Sequence, residues 1–281
     1  MDDLTITREV AYAPGSHHGL DIYAPHALRQ RLPVAVYFHG GGWRSGSKKE
    51  DAWVGAALAR NGYLAVVADY GLYPEVRWPQ FVEDCAVAVR WVHDHIADYG
   101  GDPTVLILIG HSAGGFNASS LALDRRWLAR VGLEPGRDLK AVISLSSPYM
   151  GLPMSDRDEK AIFNVGNGFT ELMDHVDGRS PPLLFLVGDK DQIIDPHEND
   201  GLIAKIRKER GVVSVIHYPL LGHDDTKYAL VDPVGRGKGI VMNDISHFLT
   251  AHGIKLSAST PTSGGKPRTT CRAVSHEGGR C

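Results

Sequence analysis

Val105-Leu106-Ile107-Leu108-Ile109-Gly110-His111-Ser112-Ala113-Gly114 is the stretch on which the fold turns. A five-residue apolar run reads as a buried strand, and it leads directly into a serine set between two glycines. Small neighbours at Gly110 and Gly114 let the chain turn sharply from strand to helix while the serine between them takes a strained backbone conformation. The Ser112 hydroxyl is then expected to stand free at the edge of a sheet.

The same unit recurs along the chain. Apolar runs at Val34–Phe38, Leu64–Ala68, Ala141–Leu145, Leu183–Val187 and Val212–His217 alternate with helical segments at Lys49–Arg60, Pro79–Ala97, Gly114–Leu123, His197–Lys208 and Gly239–Ala251. Such alternation predicts an α/β fold with a mostly parallel sheet of about eight strands, covered by helices on both faces. Ile6–Ala11 and Leu20–Tyr23 flank a turn at Pro14-Gly15-Ser16 and are expected to form an antiparallel pair at its start. Residues 1–255 are read as one domain. From about 148 to 179 the alternation breaks into charges mixed with Met150, Met154, Phe163, Phe169 and Met173, a short cap or lid on one reading and a structural connection on the other. From Leu256 the composition turns to Ser, Thr, Gly, Pro, Lys and Arg, and the tail 256–281 is expected to be disordered.

With 281 residues, 43% hydrophobic and 22% charged, and a formal net charge of -3, the composition implies no polyanionic partner and argues against nucleic-acid binding. The first residues carry no basic start or apolar stretch, and no run is long enough to span a bilayer, so a cytoplasmic location is the expectation. Three cysteines, Cys85, Cys271 and Cys281, are too few and too odd in number for a disulfide scaffold. Cys85 sits in an apolar helical stretch and reads as core.

A second motif, His39-Gly40-Gly41-Gly42-Trp43, follows the strand Val34–Phe38. Its glycines let backbone N–H groups approach a small oxygen, which is what stabilises the charge that develops on a carbonyl oxygen during acyl transfer. The N–H groups of Gly41, Gly42 and Ala113 are assigned to that oxyanion hole. A phosphate loop would need Lys followed by Ser or Thr after its last glycine, whereas Gly46 is followed by Ser47 and only then by Lys48-Lys49.

Together with Gly110-His111-Ser112-Ala113-Gly114-Gly115, this motif resembles the α/β-hydrolase superfamily, in its esterase, lipase and kynurenine-formamidase-like branch. The resemblance covers about residues 18–252. It extends to Asp69-Tyr70-Gly71-Leu72-Tyr73-Pro74-Glu75, which is similar to the family's Asp-Tyr-Arg-Leu-Ala-Pro-Glu, and to Tyr99-Gly100-Gly101-Asp102-Pro103. Gly71 stands where the family has arginine and Tyr73 where it has alanine. His111 stands where hormone-sensitive-lipase-like members carry Asp, which tilts the likeness toward formamidase and feruloyl-esterase-like members.

A serine nucleophile needs a base, and the base an acid to orient it. The resemblance implies the chain order Ser, Asp or Glu, His. After Leu183–Val187, Gly188-Asp189-Lys190-Asp191 offers the acid. Asp191 matches the family's spacing, with Asp189 as rival and Asp195 behind it. His223, in Gly222-His223-Asp224 past the strand Val212–His217, is the expected base, while His217 falls within that strand and His247 on the last helix. Asp224 and Asp225 are expected to cap the following helix or solvate its start.

Other features carry less. His93 and His95, two apart on a helix, face different ways and suit solvent better than a shared metal. His17-His18 is too short for a site, and Gly235-Arg236-Gly237-Lys238-Gly239 reads as a flexible connection. Trp43, Tyr73, Trp78 and Phe116 lie beside catalytic motifs and are read either as a substrate pocket or as core.

The expectation is a serine hydrolase that needs no metal or organic cofactor and acts on a small-molecule ester or formamide. A carboxylesterase for small or aryl esters comes first and an arylformamidase releasing formate from an N-formyl aromatic amine second. An acyltransferase differs from these only in its acceptor, and a ligand-binding relative without turnover would have no need to keep the base. Oligomeric state is beyond the sequence.

Overall fold

The apolar runs become eight strands, among the described residues, of one sheet. They are β1 (Leu4–Ala11), β2 (Gly19–Pro25), β3 (Leu32–Phe38), β4 (Leu64–Ala68), β5 (Gly101–His111), β6 (Leu139–Leu145), β7 (Leu183–Gly188) and β8 (Val213–Tyr218). The computed structural model describes residues 3–26, 28, 30–149, 157–164, 169–232 and 239–255, with the backbone alone for 157–159. The expectations placed on Met150 and Met154, on residues 235–238 and on the tail from Leu256, with Cys271 and Cys281, fall outside these residues.

The strand order is β1-β2-β4-β3-β5-β6-β7-β8. β1 pairs antiparallel with β2, and β2 with β4, and all later pairings are parallel. The parallel strands read as unbroken apolar runs because both their faces are covered. Val34, Val36 and Phe38 of β3 point to one core with Leu106 and Leu108 of β5. Ala35 and Tyr37 point to the other with Ile107 and Ile109.

Helices supply both covers. α1 (Ala52–Arg60), α2 (Gln80–His95), α3 (Ala113–Leu123), α4 (Arg125–Arg130), α5 (Pro135–Asp138), α6 (Arg157–Ile162), α7 (Asp200–Lys208), α8 (Asp225–Tyr228) and α9 (Ile240–Ala251) follow in chain order. Phe81, Val82, Cys85 and Val89 of α2, with Phe116 and Leu121 of α3 and Leu202 and Ile206 of α7, fill the first core. Val54 and Leu58 of α1, with Val241, Ile245 and Leu249 of α9, fill the second. Full burial of one such aliphatic or aromatic side chain contributes about 1.5–3 kcal/mol.

The five long helices lie where the periodicity puts them, with ends shifted by up to three residues. α1 starts at Ala52 rather than Lys49, and the Asp51 carboxylate just before it accepts hydrogen bonds from Tyr37 Oη (2.9 Å) and Lys227 Nζ (3.0 Å). α2 gives way to a 3₁₀ turn at Ile96–Tyr99, closed by Gly100 at φ 91°. The short helices α4, α5, α6 and α8 were too brief to leave a periodic signal. Of the span 148–179, the described parts include α6 and a 3₁₀ turn at Leu172–His175. Ile162 and Phe163 are buried there, and the Ile162 carbonyl accepts from Trp78 N (2.8 Å). Among the described residues, no helix is long and apolar enough to cross a membrane.

Candidate active site

The carboxyl ends of β3, β5, β7 and β8 lead into the segments that carry His39–Gly42, Ser112, Asp191 and His223, the usual place for a site in a parallel sheet. There they line an open cavity of ≈ 370 Å³ that holds Gly40, Gly41, Gly42, Ser112 and His223 in its wall.

Ser112 caps α3 with φ 51° and ψ -121°, the strained turn expected of it. Space explains the glycines beside it. A Cβ on Gly110 would run into the Gly114 backbone, and one on Gly114 into the Phe38 carbonyl. The elbow is fastened from below by Ser112 N–H donating to the Leu145 carbonyl at 2.9 Å.

His223 Nδ1–H donates to Asp191 Oδ2 at 2.7 Å, with side chains only 10% and 2% exposed. Asp191 Oδ1 accepts from Ile193 N (2.8 Å) and Ile194 N (2.9 Å). Burial opposes ionisation of Asp191, but the hydrogen bonds from His223, Ile194 and Ile193 outweigh it and hold the carboxyl below the usual aspartate value. With Nδ1 engaged, Nε2 is the His223 nitrogen left for chemistry. Asp189 is committed elsewhere, accepting from His217 Nδ1 at 2.7 Å, and Asp195 accepts from His197 N. Of the three carboxylates weighed from the sequence, Asp191 is the one brought to His223.

The glycine loop after β3 turns through Gly41 at φ 114° and Gly42 at φ 59°, conformations that glycine adopts without a Cβ penalty. Arg44 N and Ser45 N both donate to the Gly41 carbonyl at 3.1 Å. Among the described residues, no hydrogen bond from the N–H of Gly41, Gly42 or Ala113 to a backbone carbonyl is present. His39 is buried and stacks on Tyr70 at 4.4 Å, and Tyr70 Oη–H donates to the His39 carbonyl (2.8 Å). Burial, against the opposing pull of the Gly40 carbonyl and Asp69, keeps the His39 pKa low.

Sequence reading missed what holds the far end of this loop. Lys48 is 2% exposed, and its Nζ lies 2.9 Å from Glu9 Oε2, 3.5 Å from Asp21 Oδ1 and 3.8 Å from Asp69 Oδ2. Lys48 N also donates to Asp69 Oδ1 at 2.5 Å. Burial would push the ammonium toward neutrality, but the surrounding carboxylates raise its pKa. A single buried lysine leaves no periodic signature. Only the likeness of Asp69-Tyr70 to the family segment pointed here.

The aromatic residues part company with the cleft. Trp43, Trp78 and Phe116 are 5%, 7% and 2% exposed, and none is in the cavity wall described above. Trp43 sits edge-on to Phe116 and Phe163 at 5.4 and 4.7 Å, and its Nε1–H donates to Asn117 Oδ1 (3.0 Å). It therefore ties the glycine loop to α3. Tyr73 is half-buried, with Arg77 5.3 Å above its ring, and its N–H donates to the Trp43 carbonyl (2.8 Å). Among the described residues, the wall of this cleft is completed by Ser45, Ser47, Glu50, Asp51, Asp224, Lys227 and Ile193.

Asp225 takes a part the sequence did not suggest, and Asp224 lies exposed at the helix start. Asp225 accepts from Gly222 N (2.8 Å) and so fastens the His223 loop, while Asp224 precedes α8 without a side-chain capping bond and faces the cleft. Gly71, the departure from the family's arginine, donates its N–H to buried Asp84 Oδ2 (2.9 Å). The other Asp84 oxygen accepts from Gln80 Nε2 (2.9 Å) and lies 3.3 Å from His18 Nε2. The carboxylate keeps partners without an arginine, and His18 has a use the sequence did not suggest.

Known proteins agree with this architecture. A family model described as BD-FAE matches residues 20–148. Esterase LipQ of Mycobacterium tuberculosis is 26% identical over 241 residues, 76% of this chain and 55% of LipQ. Carboxylesterase NlhH of the same species is 39% identical over 109 residues, 38% of this chain and 34% of NlhH. The chain thus spans between a third and a little over half of these relatives' length. Among solved structures, a truncated carbohydrate esterase from gut microbiota superposes with a TM-score of 0.75 at 20% identity, covering 91% of this chain and 99% of that one. Esterase B from Lactobacillus rhamnosis gives 0.73 at 19%, covering 90% and 86%. The sheet order, the serine elbow and these solved structures give the chain the α/β-hydrolase fold, and in sequence it is similar to esterases and carboxylesterases.

Proposed function

We propose that this chain hydrolyses carboxylic esters of small molecules through an acyl-enzyme. The observation that carries the proposal is the buried, braced Asp191–His223 pair, whose histidine lines the same cleft as Ser112. In this reading Ser112 Oγ attacks the carbonyl carbon as His223 Nε2 accepts its proton. Asp191 holds the ring in the right tautomer and stabilises the imidazolium. The oxyanion is bound by the N–H groups of Gly41, Gly42 and Ala113. His223 passes the proton to the departing alkoxide, and water then repeats the sequence to release the acid.

Relatives named as esterases and carboxylesterases support ester bonds as the target. The formamide reading gains nothing from them. An aryl preference rested on Trp43, Tyr73, Trp78 and Phe116; three of them are buried, Tyr73 is half-buried and none is in the cavity wall, so no aryl group is specified. The test is turnover of p-nitrophenyl acetate and butyrate by the parent and by Ser112→Ala. The parent should hydrolyse both, and the variant should lose about 10⁴–10⁶-fold in kcat while keeping its Tm. A variant within ten-fold of the parent would overturn the proposal.

A further inference from the structure

We propose that His111 is a positioning residue that locks the base to the nucleophile, an inference that rests on the ester-hydrolase reading of this cleft. His111 ends β5 one residue before Ser112 and is 2% exposed. Its Nε2–H donates to the backbone carbonyl of His223 at 3.0 Å. The same carbonyl accepts a second bond from Thr226 Oγ1–H at 3.0 Å, and the Thr226 hydroxyl meets Ser146 Oγ at 3.0 Å. The His111 and His223 rings lie 4.9 Å apart. The base's loop is thereby tied to the same strand end that presents the serine.

The other side of the ring faces the oxyanion loop. A Cβ on Gly40 would lie 2.9 Å from His111 Nδ1, and that nitrogen is buried with no hydrogen-bond partner among the described residues. His111 thus sits wedged between the serine, the oxyanion loop and the base. Donation from Nε2 fixes the tautomer and leaves Nδ1 a bare acceptor. Burial and the nearby His223 push its pKa down to about 4, so the ring adds no like charge while His223 carries the proton. Asp224 Oδ1, 3.8 Å from Nε2, is the nearest carboxylate. An aspartate at position 111 could not donate to the His223 carbonyl when ionised, so this histidine does something that residue cannot.

The test compares His111→Leu, which has no donor, with His111→Gln, whose amide N–H₂ reaches toward the place of Nε2. Displacing a catalytic group by about 1 Å costs roughly 100-fold. On p-nitrophenyl acetate, His111→Leu should lose about 30- to 100-fold in kcat with KM within about three-fold, and His111→Gln should return to within about five-fold of the parent. The downfield proton resonance of His223 Nδ1–H, which needs no turnover, should broaden in His111→Leu and persist in His111→Gln. The inference is overturned if His111→Leu keeps kcat within two-fold, or if both variants lose activity alike with an unchanged His223 resonance. A parent without Ser112-dependent turnover would sink the ester reading instead, and the resonance would still decide whether the tether exists.

Discussion

Two aspartate–histidine pairs join the ends of β7 and β8, and they differ in everything except distance. Asp191–His223 and Asp189–His217 are both 2.7 Å contacts, and the acids are two residues apart. The first pair is 2% and 10% exposed, its histidine lines the cavity that Ser112 lines, and its carboxylate is braced by two backbone N–H groups. The second is 36% and 38% exposed, and its histidine belongs to a strand. Water screens the exposed pair, and such contacts contribute about 0–1 kcal/mol. The geometry of one hydrogen bond therefore says little. Burial, bracing and a serine within the same cleft are what set the Asp191–His223 pair apart.

Breaking the buried pair should have the largest effect. Asp191→Asn should lower kcat about 10⁴-fold, because an amide no longer holds His223 in the productive tautomer, and ester turnover against a Ser112→Ala blank measures it.

Acid should act through the cleft next. His111 has its pKa lowered from 6.5 to about 4 by burial and by His223. Between those values the unfolded chain binds a proton that the folded chain does not, so this contribution to stability is present above pH 6.5 and lost as pH falls toward 4. Linkage puts the loss at roughly 3 kcal/mol. Urea titrations from pH 7 to 4 should show that slope in the parent, and a smaller one in His111→Gln.

A double variant sharpens the contrast further. Once His223→Ala has removed the base, adding Asp191→Asn should cost less than about ten-fold, since residues acting as a unit are not additive. The exposed pair should yield the smallest effect, with Asp189→Asn changing kcat by less than about two-fold and stability by less than about 1 kcal/mol. A large loss there would mean that the two pairs do not divide the work in this way.

How much of this was legible in the sequence follows from range. The elbow at Gly110–Gly114 and the parallel strands were readable because they depend on neighbours a few residues away: an apolar run, then glycines where a Cβ would collide. Asp191 was separable from Asp189 only by spacing borrowed from a family, because which carboxylate meets His223 depends on how two loops close. The two readings of the aromatic residues, pocket or core, were not separable for a related reason. Trp43 follows Gly42 directly, yet at φ 58° its side chain turns into the core while the glycine backbone faces the cleft. His111 and Lys48 act on groups that lie 112 and 39 positions away, His223 and Glu9, and no local pattern announces such partners.

The most direct measurement is to trap the nucleophile. The folded chain, treated with a fluorophosphonate and digested, should carry one phosphonyl adduct on the peptide holding Ser112, formed far more slowly in Asp191→Asn and at parental speed in Asp189→Asn. An adduct on another residue, or none in a folded sample, would contradict the account.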